Sequence, residues 1–293
     1  MKREGAQISG TWNLAGKQVR RVGFGAMRLA GREAFAARAT RTPAESIGVL
    51  RRAIDLGVNH IDTASFYFSS AVRSNDLIRE ALWPYPDDLL IATKVGPSRA
   101  ADGGWQDRAR PSELRSQVEE NLRQLGRDHL DLVYYRCSRG ESIAEYVTAL
   151  AEMQRNGLVK HVGVSGVTSE QLAQAQSVVA IAAVQNRFGI EYQQSKTFEL
   201  IEKCAQQKIA FVPFFTVAGP GVSRGHDGTG PESLRNIAQA YGLSVAQAKI
   251  AWTLNVGPHV LAIPGTGNIE HLEANIAAGA VAFTPDEMRR LSL

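Results

Sequence analysis

Three side chains in this sequence have the types and spacing to move a proton together: the carboxylate of Asp62, the phenol of Tyr67 and the amine of Lys94. Asp62 closes the short run Val58-Asn59-His60-Ile61, which follows Gly57 and reads as a buried strand, and Tyr67 falls in the loop beyond it. Lys94 closes a second run of the same kind, Leu89-Leu90-Ile91-Ala92-Thr93. A buried lysine needs an opposite charge, and Asp62 at the end of a neighbouring strand supplies one. A phenol titrates near about 10 in water, and an adjacent ammonium lowers that value by stabilising the phenolate. The reading predicts a Tyr67 acidic enough to give a proton to a developing alkoxide near neutral pH. The alternative is a structural ion pair beneath a packed tyrosine.

The elements that must position these residues repeat along the chain. Ile8 to Val22 reads as a hairpin around Ala15-Gly16-Lys17, suited to plug the bottom of a barrel. Val22 to Ala26 reads as a first strand, and residues 30 to 41 as a loop. Thr42-Pro43-Ala44-Glu45 has the form of a capping box with proline at the first helical position. Ile47, Leu50 and Ile54 continue a helix that Gly57 stops, and the strand ending at Asp62 follows. The same helix–glycine–strand unit recurs through Gly126 into a strand Leu130 to Tyr135, and through Gly157 into a strand Leu158 to Val164. Further strands are predicted over Val178 to Val184, Ile209 to Phe214 and Val260 to Ile263. Helices are predicted after Thr168, over Ser195 to Gln207, near 232–241 and 244–254, from about Asn268, and after Thr284. Residues 216 to 231 hold five glycines and read as a long loop.

Eight strands alternating with helices imply a parallel sheet, and no polar linker divides the 293 residues. The fold expected is a single (β/α)8 TIM barrel domain, of the α/β class, over residues 1–293 with an N-terminal β-hairpin. The first βα turn lacks G-x-G-x-x-G, which argues against a Rossmann fold. A net charge of +4 is spread among acidic residues and not gathered in a patch, which excludes an evident nucleic-acid surface. Two cysteines, Cys137 and Cys204, are too few for a disulfide framework. With no signal peptide or membrane span in view, a cytoplasmic location is expected. No metal-ligand cluster is predicted, and the sequence leaves the oligomeric state open.

In such barrels chemistry sits at the C-terminal ends of the strands. Asp62, Lys94, Arg136, Ser165, Gln185, Phe214 and Gly265 all fall at those ends, so they are expected to converge on one mouth.

Over nearly its full length the chain resembles the aldo-keto reductases. The resemblance is carried by Gly23-Phe24-Gly25-Ala26-Met27-Arg28, Gly57 to Ala64, Ala92-Thr93-Lys94, Gly163-Val164-Ser165, Val184-Gln185-Asn186, and Ile263-Pro264-Gly265-Thr266 followed by His271, Leu272 and Asn275. It is most similar to the short bacterial members without a long C-terminal tail. The resemblance implies that Asp62, Tyr67 and Lys94 are catalytic, with Tyr67 as general acid in carbonyl reduction, and that hydride comes from NADP(H), with NAD(H) also open. It implies a cofactor site of Gly25, Met27, Asp62, Ser165, Gln185, Phe214, Phe215, Val217, Gly219, Pro264, Gly265, Thr266, Gly267, His271 and Asn275. Phe214 stands where the family usually stacks a tyrosine on the nicotinamide. Two departures matter. Arg136 replaces the family's catalytic histidine, so that position can donate hydrogen bonds but cannot relay a proton. Gly265 and His271 replace the lysine and arginine that many members place around the 2′-phosphate. The implied activity is reduction of an aldehyde or ketone. Alcohol oxidation and a non-catalytic, nicotinamide-binding regulatory subunit are the rival readings.

Overall fold

A computed structural model describes residues 10–31, 41–138, 140, 142–217 and 231–292. Its first element is the hairpin of β1 (Thr11–Leu14) and β2 (Lys17–Arg20), paired antiparallel with Leu14 opposite Lys17. Ala15 and Gly16 make the turn with φ of 51° and 79°, the left-handed pair that matches the twist of two tightly joined strands. Ile8 and Ser9, predicted to begin this hairpin, lie outside the described residues.

Seven parallel strands follow, each paired with the next in chain order: β3 (Phe24–Gly25), β4 (His60–Asp62), β5 (Leu90–Val95), β6 (Leu130–Arg136), β7 (Val159–Ser165), β8 (Ile181–Gln185) and β9 (Ala210–Phe211). The eighth predicted strand closes the ring by bridges alone. Val260 bridges to Phe211 and Ala262 to Val22, both parallel, with Leu261 N–H donating to Phe211 O at 2.9 Å and Gly23 N–H to Ala262 O at 2.8 Å. The result is the expected (β/α)8 barrel.

The helices are α1 (Pro43–Asp55), α2 (Ser74–Leu82), α3 (Leu114–Leu125), α4 (Ala144–Arg155), α5 (Ser169–Gln176), α6 (Ser195–Gln206), α7 (Glu232–Ala240), α8 (Val245–Asn255), α9 (Ile269–Ala277) and α10 (Pro285–Leu291). The capping boxes read at Thr42 and Thr168 form with Glu45 and Gln171, and Thr284 pairs with Glu287 in the same way. Helix α3 ends at Gly126 with φ 64°. Among the described residues no helix is long and apolar enough to cross a membrane.

Alternation along the strands sorts the side chains into two cores. Leu90, Ala92, Leu132, Tyr134, Ala183, Ala210, Val212 and Leu261 fill the barrel interior. Ile91, Val133, Tyr135, Val162 and Val164 face the helices and pack with Leu50, Leu122 and Leu150. Leu14 and Val19 of the hairpin join the interior cluster. Lys17 Nζ donates to Asp87 O (3.0 Å) and Leu89 O (2.7 Å), and Asn59 Nδ2 donates to Gln18 O (3.0 Å). These contacts lie at the N-terminal ends of β4 and β5, so the hairpin is the bottom plug the sequence predicted.

Three differences from the sequence reading have local causes. Helix α2, which was not foreseen, fills the space between the Tyr67 loop and β5. Val178 and Val179 donate back to Ala175 O and finish α5, so the strand there starts only at Ile181. The run Ile209 to Phe214 pairs as a regular strand only at Ala210–Phe211, while Phe214 makes an isolated bridge to Arg187.

Candidate active site

The residues read from the sequence as a proton-transfer set come together at the C-terminal strand ends. Asp62 and Lys94 lie at the ends of adjacent strands, and their side chains are 5% and 7% exposed. Lys94 Nζ donates to Asp62 Oδ2 at 2.5 Å and to Thr63 O at 3.0 Å. The second carboxylate oxygen, Asp62 Oδ1, accepts from Gln185 Nε2 at 2.7 Å. Thus the buried charge pair is compensated on both sides, as such a pair must be. Tyr67 is buried beside it, with Lys94 Nζ 4.9 Å from its ring centroid and hydrogen-bonded to its side chain.

The electrostatics correct one expectation. Burial raises the Tyr67 pKa above the ordinary phenol value, and the attraction of Lys94 and Arg136 does not overcome it. The direction is thus opposite to the acidified phenol expected from a neighbouring ammonium, because burial outweighs the attraction of Lys94, and Asp62 adds to the rise by opposing a second negative charge. For Lys94, burial lowers the pKa, but Asp62 and Tyr67 outweigh it and leave the amine above its usual value.

Arg136 is turned into the mouth. Its Nη1 donates to Ser165 Oγ at 3.0 Å, and its guanidinium carbon lies 4.5 Å from the centre of the Phe214 ring. Burial lowers its pKa and Tyr67 partly restores it, yet a guanidinium stays charged at any working pH. Gly166, beside Ser165, has φ 74° and lies against this guanidinium. Asn186 braces the same turn, with Oδ1 accepting from Gly166 N–H (2.8 Å) and Val167 N–H (3.0 Å).

Behind the strand ends lies a buried amide network that the sequence reading missed. Thr63 Oγ1 donates to Asn75 Oδ1 (2.7 Å). Asn75 Nδ2 donates to Asn121 Oδ1 (3.0 Å) and Gln124 Oε1 (2.8 Å), and Thr93 Oγ1 donates to Asn121 Oδ1 (2.6 Å). Thr63 follows Asp62 and Thr93 precedes Lys94, so α2 and α3 fix the strand positions flanking the ion pair. The apolar periodicity of Leu77, Ile78 and Leu82 would have identified α2 and with it Asn75.

Among the described residues, several of the positions implied for a cofactor lie close to one another. Gly25 and Gly265 meet back to back, where a β-carbon on Gly25 would stand 2.5 Å from Ile263 O. Pro264 O accepts from Gly25 N–H at 3.5 Å, and Met27 packs on Ala64, Phe66 and Tyr67. Gln185 Oε1 and Asn275 Oδ1 are buried with no hydrogen-bond partner. Thr266 Oγ1 accepts from Asn268 N–H (3.1 Å), and Asn268 Oδ1 caps α9 through His271 N–H (3.0 Å). Phe214 and Phe215 meet edge to face with centroids 5.1 Å apart. Phe215 takes φ 63°, a left-handed backbone that costs an aromatic residue about 1–2 kcal/mol. Lys249, 3% exposed, pairs with Glu191 at 2.6 Å and reaches Val217 O at 3.4 Å, a role absent from the sequence reading. Gly219 and most of the predicted 216–231 loop lie outside the described residues.

Comparison with known proteins places this geometry. The aldo/keto reductase family model matches residues 21–292. The chain is 42% identical to the pyridoxine 4-dehydrogenase of Escherichia coli K12 over 290 residues, covering 97% of each. A crystal structure of a thermostable aldo-keto reductase with the inhibitor epalrestat superposes with a TM-score of 0.80 at 27% identity, over 96% of this chain and 98% of that one. An aldo-keto reductase from Klebsiella pneumoniae, solved with NADPH, shares the fold at a TM-score of 0.78 and 23% identity, over 97% of this chain and 94% of that one. With the family model spanning the barrel and its mouth, the chain belongs to the aldo/keto reductase family and is an NAD(P)H-dependent oxidoreductase.

Proposed function

We propose that this chain, as a single barrel domain, reduces an aldehyde or ketone to an alcohol with NADPH, and that Tyr67 gives the proton to the carbonyl oxygen. The observation that carries the reading is the hydrogen-bonded series Tyr67–Lys94–Asp62 at the C-terminal strand ends. A raised Tyr67 pKa keeps the phenol protonated at neutral pH, the form a proton donor needs. Lys94 stabilises the tyrosinate left after transfer, and Asp62 holds Lys94 in place. Arg136 donates hydrogen bonds toward the carbonyl oxygen or an acidic or polyoxygenated substrate group.

The residues present fit a nicotinamide dinucleotide. The unpartnered acceptor Gln185 Oε1 suits the amide N–H of a carboxamide, and Ser165 stands beside it. Phe214 offers the aromatic face, and Asn275 Oδ1 suits an exocyclic adenine amine. The lack of side chains at Gly25 and Gly265 lets the first strand and the last touch backbone to backbone beside these groups. A bound nicotinamide supplies the hydride.

Phe66 and Trp105, with centroids 5.9 Å apart, make an aromatic wall next to Tyr67. That wall and Arg136 suit a flat, oxygen-bearing aldehyde. The name of the 42% identical relative makes pyridoxine and its 4-aldehyde the first substrate pair to assay. It also favours the second reading, oxidation of the alcohol. Both cysteines are free and buried, which suits the proposed cytoplasmic setting.

Initial rates in both directions, with each nicotinamide cofactor, decide the direction. Tyr67→Phe decides the role: cofactor binding survives and turnover falls by orders of magnitude. Undiminished turnover by that variant refutes the assignment.

A further inference from the structure

Phe66 and Trp105 belong to different loops, and each loop folds back on itself. In the loop after β4, Phe68 bridges antiparallel to Arg73, and Ser69 N–H donates to Val72 O at 2.9 Å. In the loop after β5, Arg99 bridges antiparallel to Trp105, and Ala100 N–H donates to Gly104 O at 2.9 Å. One side chain joins the two. Arg99, 8% exposed, donates from Nε to Gly103 O at 2.8 Å and from Nη1 to Phe66 O at 3.3 Å and Phe68 O at 3.0 Å. Its guanidinium carbon lies 4.6 Å from the centre of the Phe68 ring and 5.9 Å from that of Trp105. Gly103, with φ 89°, permits the approach, since a β-carbon there would stand 2.6 Å from Arg99 Nη2.

A planar fork of donors binds carbonyls of two segments at once, and hydrogen bonds from a charged donor are roughly twice as strong as neutral ones. The proton donor has ties of its own. Tyr67 N–H donates to Ala64 O at 3.0 Å, and Tyr67 O accepts from Ser74 N–H at 2.9 Å. Ser74 Oγ in turn donates to Ala26 O at 2.9 Å, beside the end of β3. Tyr67 is thus moored to its own loop and to the first strand. The aromatic wall is different: its two rings, edge to face at 5.9 Å, straddle the joint that Arg99 closes. A loosened joint parts Phe66 from Trp105 and leaves the phenol where it is.

We propose that Arg99 is a positioning residue for the substrate: it clasps the two loops so that Phe66 and Trp105 form one wall, and so sets a preference for flat aromatic aldehydes over small aliphatic ones. The proposal rests on the carbonyl-reduction reading above. The test compares kcat and KM for pyridine-4-carboxaldehyde and for propanal, with NADPH, in the wild type, Arg99→Lys, Arg99→Ala, Trp105→Ala and the double variant Arg99→Lys/Trp105→Ala. Hydrogen exchange is followed in the same proteins without substrate. Lysine keeps the charge and loses the fork. The kcat/KM ratio of the aromatic to the aliphatic aldehyde should fall roughly 10-fold in Arg99→Lys and further in Arg99→Ala, through KM of the aromatic one. Trp105→Ala should lose the same preference, and adding Arg99→Lys to it should move the ratio by less than about twofold. Exchange of amides 98–106 should rise roughly 10-fold in Arg99→Lys, with the Tyr67 and Ser74 amides within about threefold of wild type. A preference kept by Arg99→Lys, lost a second time in the double variant, or replaced by an equal fall in kcat for both aldehydes overturns the proposal. Unchanged exchange over 98–106 overturns the clasp and leaves the reductase intact. A wild type that reduces neither aldehyde overturns the carbonyl-reduction reading, while exchange still judges the clasp without turnover.

Discussion

The Arg136 guanidinium is held between two residues of the mouth, 4.5 Å from the centre of the Phe214 ring and 3.0 Å from Ser165 Oγ. This position normally belongs to a histidine in the family the chain resembles, and an arginine does not titrate in the working range. The pH profile of kcat/KM for reduction should therefore lack a limb from this position. Arg136→His should add one near about 6.5, with activity falling above it. Arg136→Ala should lower kcat/KM by roughly 10- to 100-fold, the loss of a charged hydrogen-bond donor. Superimposable wild-type and Arg136→His profiles would remove Arg136 from the reacting centre.

Lys94 and Asp62 depend on each other. Lys94→Met leaves a buried carboxylate without its cation and should destabilise the fold by about 3–5 kcal/mol. Urea unfolding of Lys94→Met, Asp62→Asn and the double variant checks this. The double variant should cost less than the sum of the single ones. Strict additivity would mean that the pair is not coupled.

The network behind the pair should matter for stability. Asn121→Leu strips the acceptor from Asn75 Nδ2 and Thr93 Oγ1, both buried. Each stranded donor costs about 1–3 kcal/mol, so the variant should lose about 2–6 kcal/mol in denaturant titration. A loss under about 1 kcal/mol would show that the surroundings re-pair these donors.

His60 is fully buried with neither ring nitrogen hydrogen-bonded, and burial pushes its pKa down to about 4 against the ordinary 6.5. As pH falls below 6.5, the unfolded chain takes up a proton there and the folded chain does not until about 4. Stability from this group is thus present above 6.5 and declines toward 4, by roughly 3 kcal/mol at most. Unfolding midpoints measured from pH 7 to 4 should show a shallower decline in His60→Leu than in the wild type. Parallel declines would assign the acid sensitivity elsewhere.

The regular parts of the barrel were legible because each rests on local rules. The Thr42-Pro43-Ala44-Glu45 box starts α1 as read, and Gly126 ends α3. Asp62, Lys94, Arg136, Ser165, Gln185 and Phe214 meet because they close successive strands of one ring, a matter of topology. What escaped the sequence depends on three-dimensional sums. The Tyr67 pKa reflects burial set against Lys94, Asp62 and Arg136 together, which no spacing encodes. The Asn75–Asn121 bond joins two helices 46 positions apart. Arg41 meets Gly267 across the seam where the ring closes, so neither residue alone signals the other.

The β1–β2 hairpin has a kinetic corollary. With Leu14 and Val19 corked into the lower end of the ring, traffic is confined to the upper rim. Two guests that share one doorway must queue. If the two lie at different depths, the deeper must enter before its companion and depart after it.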